Sequence, residues 1–315
     1  MLKQYVSLEV RDKPEGGSQI FFADGLRIDF DVRLIPQFSR ASFTIYNMNN
    51  TQITSLMDGE RYVTVKTRLH DGRLHTIANS FYINNATDQI NSPDRITKLF
   101  CFDRLRKQYS EKQVDLNTVA PSLKNMVNQI LNSVGHTGER VFLSFPAGLE
   151  KELPRTPTRP MQGNIQQCLR RLEKEYNFET YTYEGGYYFM YKPDLGNVGK
   201  TTLSSKEPEI VLNTNSMRAN PKIGIASANI VSNLDPRIRP TSVLDLSNLL
   251  TIEAKADPKT LEVVKNYLKN FSEYSKYQAF AVQHKGSNYT SEWSTIINAL
   301  SPTKGKLMKT VAWGG

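Results

Sequence analysis

Residues 26–34, LRIDFDVRL, alternate without a break: Leu26, Ile28, Phe30, Val32 and Leu34 on one side, Arg27, Asp29, Asp31 and Arg33 on the other. Only an extended chain has a side-chain period of two, so this stretch is a strand with one face in a core and one charged face. The charges also discourage pairing of a bare edge with another chain. The same alternation opens the sequence, where Val6, Leu8 and Val10 predict a first strand rather than a signal peptide. Further strands are predicted over 40–48 (RASFTIYNM, with Phe43 and Ile45 inward), 62–69 (Val63, Val65 and Leu69 inward), 79–84 and 96–102. Asp71-Gly72 between two of them is a hairpin signal, because Gly accepts the positive φ of a type I′ turn. About six or seven short strands at this spacing make a small barrel or sandwich.

The pattern then changes. Leu123, Met126, Val127, Ile130, Leu131 and Val134 form the stripe of an amphipathic helix, begun by Pro121 or Ser122 and ended before Gly135. A proline-rich connector, LPRTPTRP at 153–160, leads to a second helix with Ile165, Cys168, Leu169, Leu172 and Tyr176 on one face. Tyrosine-rich strands at 178–183 and 187–191 flank Glu184-Gly185-Gly186 as a hairpin. After a polar linker at 196–206, apolar runs at 223–231, 243–250, 277–284 and 293–299 predict strands again. One helix near 258–274 is inserted, capped by Asp257 and opened by Pro258. The sequence therefore predicts a mainly β chain in three parts: a β-barrel over 1–117, an α+β domain over 118–206 and a second β-barrel over 207–315.

Composition narrows the function. The 315 residues are 39% hydrophobic and 23% charged, with no apolar run near the ~18–20 residues of a membrane span. The net charge of +9 is dispersed among acids, with no basic block, which favours a solvated surface or a charged protein partner over nucleic acid. Arg155, Arg159, Arg170 and Arg171 near the tyrosines make only a weak nucleic-acid case, since half of the tyrosines are expected to pack on the preceding helix. Cys101 and Cys168 lie in apolar patterns and read as buried free thiols.

No motif in the sequence carries a recognisable chemistry. GNVGKT at 196–201 resembles the end of a phosphate-binding loop, but Asp194 stands where its first glycine belongs, and a flexible linker is the better reading. His70 and His75 straddle the Asp71-Gly72 turn without a third ligand. Loop carboxylates at Asp88, Asp94, Glu139, Glu150 and Glu152 leave a cell-wall peptidoglycan hydrolase as a minority alternative, because such acid pairs are defined only in space. No catalytic residue, metal site or cofactor is predicted.

The order of segments carries more information. LRIDFDVRL, then FTIYNM at 43–48, the turn TQITSLMDG at 51–59, YVTVKTRL at 62–69 and ITKLFCFD at 96–103 resemble the amino-terminal barrel of contractile-tail phage baseplate hub proteins. The carboxy-terminal match is more specific. SMRANPKIGIASANIVSNL at 216–234 followed by Asp235-Pro236-Arg237-Ile238-Arg239-Pro240, and 277–284 followed by Lys285-Gly286 and Glu292-Trp293, resemble that family's second barrel. The sequence departs at Thr241, where the family has glycine, at Asp235, where it has asparagine, and in the helix near 258–274.

The resemblance implies a structural virion protein, not an enzyme. It implies a homotrimer whose paired barrels form a pseudo-sixfold ring between the tail tube protein and a threefold central spike protein. Baseplate wedge or other tail proteins lie around it, and genome DNA passes through the lumen without specific binding. The chain would be assembled in the bacterial host cytoplasm and reside in the virion tail baseplate. The hub of a phage-derived secretion or injection system is the alternative of the same fold. The stiff turn Asp235, Pro236, Arg237, Ile238, Arg239 and Pro240 would hold two wall strands in register, with Arg237 and Arg239 facing a neighbouring subunit or the tube; an ordinary strand connection explains it equally well. Trp313 in the basic tail would dock that tail.

Overall fold

The computed structural model describes residues 5–36, 38–68, 72–118, 122–135, 141–144, 159–176, 178–183, 186–191, 209–223, 227–250 and 276–300. The first β region contains β1 (Val6–Arg11), β2 (Gln19–Ala23), β3 (Ile28–Leu34), β4 (Arg40–Tyr46), helix α1 (Asn50–Met57), β5 (Tyr62–Arg68), β6 (Leu74–Asn91) and β7 (Asp94–Phe102). The middle of the chain holds α2 (Leu105–Glu111), β8 (Gln113–Thr118), α3 (Leu123–Ser133), β9 (Val141–Ser144), β10 (Arg159–Asn164), α4 (Ile165–Tyr176), β11 (Phe178–Tyr183) and β12 (Gly186–Tyr191). The last region has β13 (Ile210–Val211), β14 (Lys222–Ile223), β15 (Ser227–Asn233), β16 (Val243–Asp245), α5 (Ser247–Leu250), β17 (Lys276–Ser287) and β18 (Trp293–Leu300). The chain is mainly β with a small α+β insertion.

The two β regions share one mixed sheet of 13 strands, in the order β14-β15-β18-β17-β3-β4-β7-β6-β5-β1-β2, with β16 joining β17 and β13 joining β16. The weld is the antiparallel pairing of β17 with β3, which sets Val282 opposite Leu34, His284 opposite Val32 and Gly286 opposite Phe30. Asn288 extends it. Its Oδ1 accepts from the Ile28 N–H at 2.9 Å and its Nδ2 donates to the Leu26 carbonyl at 2.7 Å. Trp293 donates its indole N–H to the Ser287 carbonyl and meets Phe30 edge to face, with ring centroids 5.7 Å apart. Gly286 is required there by close approach: a Cβ would stand 2.7 Å from the Phe30 ring.

One apolar cluster runs from Val6 through Phe30, Phe43 and Val63 to Ile230, Val282 and Ala299, so residues from both ends of the chain share a core. A second cluster gathers Leu105, Tyr109, the buried face of α3, the buried face of α4, Phe178 and Phe189. α3 carries the predicted stripe and the Ser122 cap, and Gly135 takes φ +82 just beyond it.

Several elements differ from the sequence reading. The turn expected at 51–59 is helical over most of its length, because Asn49 and Gln52 form a reciprocal cap. β6 runs 18 residues, well past the predicted end at 84. Its polar outer half is held by the ladder to β7 and not by burial, so it has no apolar period to read. The run 223–231 falls on two strands, β14 and β15, which pair antiparallel. The run 243–250 is a short strand that stops where Asp245 accepts from the Ser247 N–H and α5 begins. Arg159 and Pro160, read as connector, pair with Thr118 and Asn117. The inserted helix near 258–274 lies outside the described residues, as does Asp71 of the expected hairpin.

Replacing Asn288 by Ala strands a buried N–H and a carbonyl at the weld. The variant is expected to lose about 2 kcal/mol of unfolding free energy, read as a lower urea midpoint with unchanged slope.

Candidate functional site

The proline-bracketed turn is built by alternation. Leu234, Pro236, Ile238 and Pro240 point inward, and Ile238 is fully buried. The two prolines remove backbone donors that a turn would otherwise have to satisfy. The rest are accounted for: Asp235 N–H donates to Thr295 Oγ1 at 2.9 Å, Ile238 N–H to the Asp235 carbonyl at 3.1 Å, and Arg239 N–H to Ser242 Oγ at 3.0 Å. Two backbone bonds, Thr241 N–H to the Ala279 carbonyl and Ala279 N–H to the Ser242 carbonyl, lock the turn's exit to β17.

The two arginines are not equivalent. Arg237 grips Asp235 with both prongs, Nε to Oδ1 at 2.8 Å and Nη2 to Oδ2 at 2.7 Å, and its side chain remains 63% exposed. Arg239 is half-buried, its guanidinium 6.0 Å from the Tyr183 ring centre, and Tyr183 reaches the Pro240 carbonyl at 3.5 Å. One arginine therefore faces the α+β part of its own chain, and the Asp235–Arg237 pair faces outward.

Beneath the turn sits a residue that the sequence marked only as a strand end. His284 is buried within β17, with Nδ1 3.0 Å from Thr295 Oγ1, the same hydroxyl that takes the Asp235 N–H. Burial pulls its imidazole down to about 4. The charges of Asp235 and Arg239 oppose each other there, and a hydrogen bond to the Ile238 backbone only partly offsets the burial. The signal was the polar residue on the inward side of an otherwise apolar strand.

Thr241, which stands where the hub proteins resembled in sequence have glycine, has φ +76. A β-branched residue is strained in that region, by on the order of 1–2 kcal/mol, whereas glycine is not.

The other singled-out residues fall elsewhere. Cys101 and Cys168 are buried free thiols, and burial pushes the Cys101 thiol far up. The sequence reading expects half of the hairpin tyrosines to pack on the preceding helix; Tyr181, Tyr183, Tyr187 and Tyr188 are all buried, but only one of the four packs there. Tyr187 joins the helical core while Tyr181, Tyr183 and Tyr188 join the large sheet's core. The hairpin is clasped on both faces, and these four rings are not available as a stacking platform for nucleic acid. Asp88 takes two bonds from Arg95 Nε and one from Arg95 Nη2, which hold its carboxyl below the usual range, the reverse of what a proton-donating acid needs. Asp94 accepts from Asn47. Among the described residues no three metal-ligating side chains converge, and no helix is long and apolar enough to cross a membrane. Trp313, His70, Glu139, Glu150, Glu152, Arg155 and the 196–201 stretch lie outside the described residues.

A chain of this architecture, two β regions welded into one sheet around a small α+β unit, has the fold of phage tail proteins. The 43 kDa tail protein of prophage MuSo2 from Shewanella oneidensis superposes with a TM-score of 0.53 at 8% identity, covering 95% of this chain and 98% of its own. A tail protein from Neisseria meningitidis MC58 does so with a TM-score of 0.53 at 10% identity, covering 94% and 96%. An E. coli component of the type VI secretion system, itself structurally similar to tail proteins of bacteriophage T4, superposes at 0.50 and 10% identity, covering 89% of this chain and 74% of its own. No family model and no curated protein matches the sequence.

Two outcomes are expected at the turn. The unfolded chain protonates His284 near 6.5 and the folded chain only near about 4, so the unfolded state holds more protons between these values. Stability should therefore fall as pH drops from about 6.5 to about 4, by on the order of 3 kcal/mol, and His284→Asn should flatten that slope in urea titrations. Thr241→Gly should raise the unfolding free energy by about 1 kcal/mol in the same assay.

Proposed function

We propose that the chain is a structural component of a contractile phage tail, the baseplate hub. Three copies close a pseudo-sixfold ring, which joins the sixfold tail tube protein to the threefold central spike protein and surrounds the channel for the genome. The parts are those expected from the sequence, β regions over 1–117 and 207–315 with the α+β part between, and the work is geometric rather than catalytic. Wedge or other tail proteins bind its periphery, and the protein resides in the virion after assembly in the host cytoplasm.

The observation that carries this reading is the β3–β17 weld. It makes the two β regions one wall, with apolar side chains on the inner face and polar ones on the other. A ring segment has to keep its shape under load, and a continuous main-chain ladder resists hinging where a flexible linker would not. Tail proteins of the same fold over nearly their whole length support the context. The outward Asp235–Arg237 pair, seated on Thr295 and His284, is a rigid contact point for a neighbouring subunit or the tube.

Light scattering tests the proposal. The protein alone should have three times the 35.8 kDa of one chain, or should reach a 3:3 complex with the spike. A monomer under both conditions overturns it. Arg237→Glu is expected to weaken assembly at least tenfold while leaving the melting temperature within a few degrees, because the side chain is mostly exposed.

A further inference from the structure

The outer face of β3, β4 and β7 carries a feature that folding does not account for. Cross-strand register puts Arg33 directly opposite Arg40, and Arg40 opposite Phe102; one row on, Ser42 lies between Asp31 and Phe100. These side chains line a shallow groove of about 310 Å³. Like charges facing each other across a ladder are unfavourable unless each is answered. Arg33 is answered, since Asp31 accepts from its Nη2 at 2.8 Å and from its Nε. Burial alone would push the Asp31 carboxyl up, but hydrogen bonds from Arg33 and Gln283 outweigh it and keep it charged. Arg40 is exposed, and no described residue makes an ion pair or hydrogen bond with its guanidinium. Beside it Phe100 is 44% exposed, whereas Phe102 on the same face is covered by the Arg106 guanidinium, 3.4 Å from its ring centre. An unanswered arginine next to an open aromatic ring is the composition of a protein–protein anchor.

The complementary pair is found at the far edge of the same sheet. β2 is the last strand in its order and pairs with β1 alone. Phe22 on it is 45% exposed, and Asp24, two residues on, is exposed and without a described partner. We propose that the Arg40–Phe100 groove receives the Phe22–Asp24 edge of a second copy of this chain. The contact joins two different patches, which makes it head-to-tail, the kind that generates a closed ring when its rotation closes. This inference rests on the ring reading above and supplies it with a specific subunit contact. A nucleic-acid phosphate would also pair with Arg40, but a phosphate leaves the exposed Phe100 ring uncovered, whereas Phe22 and Asp24 bring an apolar ring and a carboxylate together, so the composition of the groove favours the protein partner.

Charge exchange tests the contact. Wild type, Arg40→Glu, Asp24→Arg and the double variant are compared by light scattering over a dilution series, with circular dichroism and melting curves as the check on folding. Each single variant should weaken association at least tenfold, and the double variant should recover most of it. Neutral Arg40→Gln and Asp24→Asn should fall in between. If wild type assembles and the single variants assemble equally well, the contact is overturned and the ring reading stands. If wild type stays monomeric alone and with the spike, the ring reading itself fails. Binding of a 20-base-pair duplex that falls steeply with salt and is lost in Arg40→Glu, with assembly unchanged, gives the groove to nucleic acid and also overturns the proposal.

Discussion

The antiparallel ladder between residues 29–34 and 282–287 is the constraint on which the rest of the structure depends. Without it the chain would be two half-sheets, each with a bare central edge. With it, Val32 and Phe30 from one end and Val282 and Trp293 from the other share one core. The polar face is built by the same pairing. Asp29 accepts from Ser287, and Asp31 from Gln283, so charged residues of β3 that already pair with Arg27, Tyr46 and Arg33 gain further partners when β17 arrives. Backbone pairing, core packing and surface electrostatics are therefore coupled at one seam, and a fault in any of them is felt by the others.

The α+β part is tied to this wall through tyrosines rather than through strands. β11 and β12 place Tyr187, Phe189 and Phe178 against the helices, and Tyr181, Tyr183 and Tyr188 against the sheet. Tyr183 and Tyr188 stack with ring centroids 3.8 Å apart, and Tyr181 meets Phe280 of β17 edge to face. Large rings cover much area at small entropic cost, and the alternating directions of a strand let one hairpin serve two cores. The turn at 235–240 is caught in the same junction through Arg239 and Pro240, which explains its stiffness without reference to any partner.

Where burial sets the pattern, the sequence was legible. β3, β4 and β5 alternate because one face is in the core, and α3 and α4 show their stripes for the same reason. The mainly β class with an α+β insertion followed from these elements. Where structure is held mainly by hydrogen bonds, the signal was weak: the outer half of β6 is mostly Asn, Thr, Asp and Gln, with Ala86 and Ile90 too few to mark a period, and α1 is set off by a capping box. Pairing partners were equally hidden, since nothing in LRIDFDVRL names a strand some 250 residues later. At the turn, the prolines and arginines stood out, yet the group beneath them, His284 with Thr295, did not, because the predicted strand ends at His284, which hides its inward phase along β17, and its partner Thr295 lies on another strand. Thr241 was visible only as a missing glycine, and its positive φ gives the reason.

The seam also sets an order in time. β3 has its partner β4 almost at once, but its other edge is completed only by β17. A ribosome adding 5–20 residues per second needs roughly 10–50 s to make that stretch of chain. Through that interval the nascent protein exposes an open strand whose inward side chains are Ile28, Phe30, Val32 and Leu34, in a crowded compartment where identical chains are being made nearby. A contact of such long range is slow to form even once the whole chain exists. Asp29, Asp31 and Arg33 thus have an earlier duty than their place in the finished wall: until β17 is made, they are what keeps one unfinished copy from pairing with the next.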